Sequence, residues 1–209
     1  MKKVIISILI LALIIFVAAF IFRPQTPLPQ PIPIDTQNQP SLGQKNATVE
    51  IVAFEDLKCV ACKEFTNTIF PQLKKEYIDT GIAKFTFINL AFIPGSIAAA
   101  NAAHCIYKQN PELFFPFVDY VYANQPPENE NWATIPKLLE FASRIKGINQ
   151  DQLSQCVFNN TYTSIIDKNL QLAQKTIGPT IMTPTLFING IRVDPLTINQ
   201  IKKIINHVR

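Results

Sequence analysis

Two cysteines three positions apart, Cys59-Val60-Ala61-Cys62, stand where a strand-like run gives way to a helical one, and that junction constrains the fold more than any other stretch. The run Thr48-Val49-Glu50-Ile51-Val52-Ala53-Phe54 alternates and is β-branched, while Phe65, Ile69, Leu73 and Tyr77 recur at helical spacing. Cys59 is therefore expected at a helix N-terminus, where unpaired N–H groups carry partial positive charge and favour the nucleophilic thiolate. Cys62 lies one turn further in on the same face, close enough to resolve a mixed disulfide. The pattern predicts a thiol–disulfide redox centre. Zinc binding would need two more ligands, and Cys105 and Cys156 follow about 43 and 94 residues beyond Cys62 without the paired spacing of structural zinc sites, so no metal is expected.

From Val4 to Phe22 the chain is apolar apart from Ser7, preceded by Lys2 and Lys3 and ending at Ala19-Phe20-Ile21-Phe22-Arg23-Pro24. That run nearly spans a hydrocarbon core and is longer than the apolar region of a cleaved signal peptide, so an uncleaved anchor is the preferred reading. The two lysines place the N-terminus in the cytoplasm and the rest of the chain outside it, the compartment in which disulfides persist. All four cysteines follow the anchor. Residues 24–45 hold six prolines and show no apolar period, which reads as a semi-rigid linker reaching up to about 60 Å from the bilayer. The net charge of +4 is mild and its lysines are scattered, so nucleic acid is not an expected partner.

About 165 residues remain, enough for one domain. After the cysteine helix, which Pro71 should kink, residues 82–92 read as a second strand, and the crossover predicts two parallel strands. From Ser96 to Ile177 the period is helical. Ala98, Ala102, Cys105 and Ile106 mark one helix. Trp132, Ile135, Leu138, Leu139, Ala142 and Ile145 mark another. Asn149 caps a third, and a longer helix stops at Gly178-Pro179. Then come a strand at 185–188, an Asn189-Gly190 hairpin turn, a return strand at 191–193, and Asp194-Pro195 as cap and first-turn proline of a final helix.

A βαβ unit that opens with a CxxC helix and is closed by a hairpin and helix resembles the thioredoxin fold, and the helical block between its halves resembles the DsbA-like branch. The likeness rests on Phe54-Glu55-Asp56-Leu57-Lys58-Cys59-Val60-Ala61-Cys62-Lys63, Glu76-Tyr77-Ile78-Asp79-Thr80-Gly81, Ala98-Ala99-Ala100-Asn101-Ala102-Ala103-His104-Cys105 and residues 178–190, which contain Met182-Thr183-Pro184-Thr185. It implies an α/β thioredoxin-like fold with an inserted helical subdomain, preceded by one transmembrane helix. The divisions are an anchor at 1–23, a linker at 24–45, and a domain at 46–209 whose insertion spans about 96–178. It further implies Cys59 as nucleophile, Cys62 as resolving cysteine, and a cis Thr183–Pro184 bond whose exposed backbone pairs with an extended substrate peptide. No cofactor is implied, because the cysteines themselves carry the electrons. The implied partners are exported proteins with cysteines and, for re-oxidation, a quinone-linked membrane protein of the DsbB or vitamin K epoxide reductase-like type.

The chain departs from that pattern between the cysteines, where strongly oxidising members usually carry Pro-His. Val60 and Ala61 offer the Cys59 sulfur neither a side-chain hydrogen bond nor a charge, leaving the helix terminus and Lys58 to stabilise it against Glu55 and Asp56. A less acidic thiol and a weaker oxidant are expected. Three functions remain open: disulfide donor, reductase or isomerase using the same residues, and a tethered peptide-binding module without catalysis. Cys105 and Cys156 read most plainly as a structural disulfide between two helices. A second redox pair and two packed free thiols are the other readings. Glu55 and Asp56 assist proton transfer from Cys62 if buried, and do nothing there if solvated. His104 either tunes its neighbour Cys105 or simply packs, and Trp132, Phe114, Phe115 and Phe117 read as core.

Overall fold

The alternation that marks residues 48–54 becomes the centre of the molecule. In the computed structural model, which describes residues 27–209 together with Ala12, Leu13 and Phe16, Val49, Ile51 and Ala53 face one core while Val52 and Phe54 face the other. This strand, Val49–Asp56 (β2), pairs in parallel with Ala83–Leu90 (β3) and antiparallel with Thr185–Ile188 (β4). Ser41–Leu42 (β1) and Ile191–Arg192 (β5) complete a five-stranded sheet in the order β1-β3-β2-β4-β5. The expected anchor falls on residues otherwise outside the described set. Among the described residues no helix is long and apolar enough to cross a membrane.

Between β2 and β3 lie Val60–Thr68 (α1), Phe70–Leu73 (α2) and a π-helical turn at Lys74–Ile78. Pro71 does more than bend one helix: the chain breaks at Ile69 and restarts with the proline in the new first turn, where its missing N–H costs nothing. Between β3 and β4 the chain is helical: Ile97–Gln109 (α3), a 3-10 turn at Pro111–Leu113, Phe114–Asn124 (α4), Ile135–Ala142 (α5), Gln150–Phe158 (α6) and Thr163–Ile177 (α7). The side chain of Asn149 caps α6 by accepting from Gln152 N–H, and α7 ends at Gly178. Trp132 lies before α5 rather than in it, and is buried. Phe114 and Phe117 are fully buried, Phe115 nearly so, and Phe87 meets Phe114 edge to face. The sheet thus carries the insertion with α1 on one face and Leu172, Ala173 and Ile177 of α7 on the other. This is a thioredoxin-like α/β fold with a helical insertion.

Two expectations are corrected. Asp194–Pro195 does not start the last helix, Ile198–Val208 (α8): that peptide is cis, and Thr197 supplies the cap by accepting from Gln200 N–H. The return strand correspondingly stops at Arg192. The proline-rich stretch also does not run free over its whole length. Ile32 N–H donates to the Gly190 carbonyl at 3.0 Å, Phe87 N–H to the Pro40 carbonyl at 2.9 Å, and Gln39 Nε2 to Asn169 Oδ1 at 2.7 Å. Proline keeps a chain extended and removes donors that would need partners, while its carbonyls still accept from strands, so this composition suits a strap along a sheet as well as it suits a stalk. The approach is close enough that a Cβ on Gly190, itself at φ +80°, would collide with the Ile32 carbonyl oxygen.

Candidate active site

Cys59 and Cys62 sit where β2 ends and α1 begins. Cys59 is the N-cap of α1, with extended backbone (φ −67°, ψ 121°), and its sulfur accepts from Cys62 N–H at 3.4 Å. Both thiols are unbonded. A hydrogen bond from the Cys62 thiol, helped by the Thr183 side chain and the backbone N–H groups of Cys62 and Ala61, outweighs burial and brings the Cys59 thiol down to about 6. Burial pushes the Cys62 thiol well up, and the charges around it add to that. At neutral pH the pair therefore holds one thiolate, on Cys59, and one thiol, on the more deeply buried Cys62.

The helix end serves the sulfur as expected, but Lys58 does not. Lys58 is buried and donates its Nζ to the Pro94 carbonyl at 2.9 Å rather than serving the sulfur. The main donor is Cys62 itself, which a sequence does not announce because the thiol-to-thiolate contact depends on both side-chain rotamers.

Glu55 and Asp56 are both buried, and they differ in purpose. Asp56 Oδ1 accepts from Lys58 N–H at 2.9 Å, and Oδ2 from Phe92 N–H at 3.0 Å, Ile93 N–H at 3.1 Å and Ser96 Oγ at 2.8 Å. It ties the end of β2 to the loop after β3; burial raises its carboxyl, although these donors oppose the shift. Glu55 is 1% exposed, and Tyr122 Oη donates to its Oε2 at 3.0 Å. Burial lifts its carboxyl to about 8, against the Tyr122 hydrogen bond, and its charge is felt by Cys62. Tyr122 comes from α4, so the insertion supplies the group that fixes Glu55; helical periodicity marks Tyr122 as core but not as this partner.

Thr183 and Pro184 form the opposite wall. Their peptide bond is cis, and the Cys59 thiol lies 3.4 Å from the Thr183 carbonyl oxygen. Val60, next to Cys59, and Met182, next to Thr183, are exposed apolar side chains, 60% and 59% accessible. A nearly buried Cys59 sulfur beside exposed apolar side chains and the cis Thr183–Pro184 backbone suits an extended peptide carrying a cysteine.

Cys105 of α3 and Cys156 of α6 are bonded to each other, with Cα atoms 6.1 Å apart. They lie away from Cys59 and Cys62, within the insertion. His104 is buried beside them, packs against Tyr162, and is lowered by burial to about 4, so it stays neutral. Among the described residues no group of three or more His, Cys, Asp or Glu side chains is placed to hold a metal ion.

The Thioredoxin_4 family profile, described as thioredoxin, matches residues 35–207. Disulfide bond formation protein D of Bacillus subtilis is 34% identical over 154 residues, which cover 73% of this chain and 68% of that protein. A putative protein-disulfide oxidoreductase of Rickettsia prowazekii is 29% identical over 175 residues, covering 81% of this chain and 61% of that one. Among solved structures, oxidised BdbD of Bacillus subtilis superposes with a TM-score of 0.79 at 32% identity, covering 87% of this chain and 96% of that chain. DsbA of Chlamydia trachomatis gives 0.78 at 29% identity, with 88% and 97% covered.

Proposed function

This chain belongs to the DsbA-like thiol–disulfide oxidoreductases of the thioredoxin fold, and from that premise we propose that it is a membrane-anchored disulfide donor, passing its Cys59–Cys62 bond to exported proteins. The observation that carries the direction is the asymmetry of the pair. A Cys59 thiol lowered to about 6 stabilises the dithiol form, and a stabilised dithiol makes its disulfide easier to give away. The shift is smaller than in the most acidic thiols of this fold, in keeping with the Val60-Ala61 dipeptide.

In the proposed cycle a substrate thiolate attacks Cys59 Sγ. The Cys59–Cys62 bond breaks, and Cys62 leaves and is protonated, with Glu55 as the buried acid within electrostatic reach. A second substrate thiolate then attacks the substrate sulfur of the mixed disulfide and releases Cys59 as a thiolate. Two electrons have passed to the enzyme, one substrate disulfide has formed, and of the two substrate protons one is on Cys62 and one in solution. Thr183 and Pro184 hold the extended substrate peptide. A quinone-linked membrane oxidoreductase of the DsbB or vitamin K epoxide reductase-like type then removes the electrons, and the anchor keeps this chain beside it. The names of the relatives, disulfide bond formation protein D and protein-disulfide oxidoreductase, support cysteine-bearing proteins as substrates.

The deciding measurement is the reduction potential of the pair against glutathione. A value near or above about −150 mV makes the protein a donor of disulfides, whereas one below about −230 mV makes it a reductase or isomerase and overturns the direction. Cys59→Ser should remove oxidation of a dithiol peptide altogether. Retained activity in that variant sinks the assignment of the nucleophile.

A further inference from the structure

Glu128 reaches the active-site helix from the insertion. Its Oε2 accepts from Val60 N–H at 2.9 Å, although the two residues are 68 apart in the chain. Val60 is the first residue of α1, so this N–H is one of the unpaired donors that give the helix end its positive character. A neighbouring donor, Cys62 N–H, is the one that serves the Cys59 sulfur. The segment carrying Glu128 is pinned in place by Gln125, whose Nε2 donates to the Lys58 carbonyl at 3.1 Å and whose carbonyl accepts from Lys63 Nζ at 3.4 Å.

We propose that Glu128 is a positioning residue that tunes the redox pair: its carboxylate competes with the Cys59 thiolate for the positive end of α1 and holds the centre less oxidising than the helix end alone would make it. The inference rests on Cys59 being the redox nucleophile. In the disulfide form the Cys59 sulfur carries no charge, and Glu128 has the helix end to itself. Two electrons and one proton convert the bond to a Cys62 thiol and a Cys59 thiolate, placing a second anion beside the first. The other charged groups near this end are a fixed background to the effect. Lys58 and Lys63 keep their charges while bonded to the neutral Pro94 and Gln125 carbonyls, Glu55 and Asp56 are buried below, and Glu130 adds a like charge two residues on. Among the described residues no ion pair joins Glu128 to a cation. Because Val60 is exposed, solvent screens the repulsion and the effect is modest.

A charge series on the full-length protein tests this. Glu128→Gln keeps a carbonyl oxygen for Val60 N–H and removes only the charge, and Glu128→Lys reverses it. The glutathione equilibrium should move toward the dithiol about threefold for Gln and about tenfold for Lys, or about 14 and 30 mV more positive at 29.6 mV per decade. The thiolate absorbance of Cys59 should titrate at progressively lower pH, and the differences should shrink in about 1 M salt. A residue that acted only as a hydrogen-bonding brace would not order the variants by charge. Equal constants across the series, or an order that ignores charge, overturn the proposal. A wild-type pair that forms no disulfide at any glutathione ratio would instead overturn the function on which it rests.

Discussion

Tyr122 Oη donates to Glu55 Oε2 at 3.0 Å, joining a carboxyl on the strand that leads into the cysteines to a helix of the insertion 67 residues away. Held in this way and lifted to about 8 by burial, Glu55 is mostly protonated at neutral pH and becomes a base only above it. The reverse of the oxidising step, attack of Cys62 on a mixed disulfide at Cys59, needs a proton removed from a thiol that is itself raised. Its rate should therefore climb through about pH 8. Glu55→Gln should lose that climb and slow the step about tenfold at pH 8.5, as stopped-flow release of glutathione from the mixed disulfide would show. A wild-type pH profile in the variant would remove Glu55 from the proton path.

Two ionisations at the site give stability opposite slopes in pH. The Glu55 carboxyl is raised in the folded state, so the stability linked to it is fully present below the unfolded value of 4.5 and is lost as pH rises through about 8. The Cys59 thiol is depressed, so its contribution is present above the unfolded value of 9.0 and is lost as pH falls through about 6. Only the dithiol form has the second slope. Denaturation midpoints of the disulfide form should decline from pH 5 to pH 9, while the dithiol form should gain on it between about pH 6 and pH 9. Parallel curves for the two forms would mean that Cys59 is not depressed.

The Cys105–Cys156 bond closes a loop across 51 positions between α3 and α6, beside Asn101, whose Nδ2 donates to the Cys156 carbonyl at 3.3 Å. Removing it with a Cys105→Ala, Cys156→Ala double substitution should cost about 4 kcal/mol by the loop-closure argument and lower Tm. The potential of the Cys59–Cys62 pair should stay where it was, because the insertion meets the site through Tyr122, Gln125 and Glu128 rather than through this bond. A shifted potential would couple the two pairs.

What the sequence makes legible here is local. Alternation marks β2, the Asn189-Gly190 turn marks the hairpin, Asn149 and Gly178 punctuate helices, and CxxC at a strand-to-helix junction marks the candidate site. What it hides is set by distance. Glu55 reads equally as solvated or buried until α4 is seen to bring Tyr122 over it, and Glu128 carries no signal because its partner is a backbone N–H 68 residues back. The strap at residues 32–42 is hidden for another reason: prolines that suit a free linker also suit an extended chain whose carbonyls accept from neighbouring strands. Thr197, not Asp194, caps the last helix, its hydroxyl accepting from Gln200 N–H, and a Thr three residues past an equally good Asp-Pro signal is not singled out by pattern alone.

The strap has a consequence for any shortened protein. Residues 27–45 contribute the Pro40 carbonyl to Phe87 N–H, the Ile32 N–H to the Gly190 carbonyl, the Thr36 hydroxyl to Glu50 Oε1 at 2.9 Å, and β1 to the edge of β3. A chain starting at Asn46 should be less stable than one starting at Pro27 by about 2 to 4 kcal/mol, since each lost bond is worth about 1 kcal/mol and an apolar edge is uncovered. Equal urea midpoints for the two would reduce the strap to a passive stalk.

Asp56 offers the sharpest separation of structure from chemistry, because its carboxylate faces donors on both oxygens. Lys58 N–H lies on Oδ1, and Phe92 N–H, Ile93 N–H and Ser96 Oγ lie on Oδ2. In Asp56→Asn, whichever way the amide turns, its NH₂ points at groups that themselves donate. A flip that keeps the three contacts to the loop after β3 orphans Lys58 N–H, one residue before Cys59. A buried donor left without an acceptor costs about 1 to 3 kcal/mol, so the variant should lose about 3 kcal/mol in urea denaturation of the disulfide form. Ser96→Ala, which removes one donor and leaves the acceptor satisfied by two others, should lose about 1 kcal/mol. Because Lys58 N–H sets the turn into the N-cap, Asp56→Asn should also shift the glutathione equilibrium of the cysteine pair, whereas Ser96→Ala should not. An Asp56→Asn protein with the wild-type midpoint would show that the loop and the cysteine turn are joined by something other than this carboxylate.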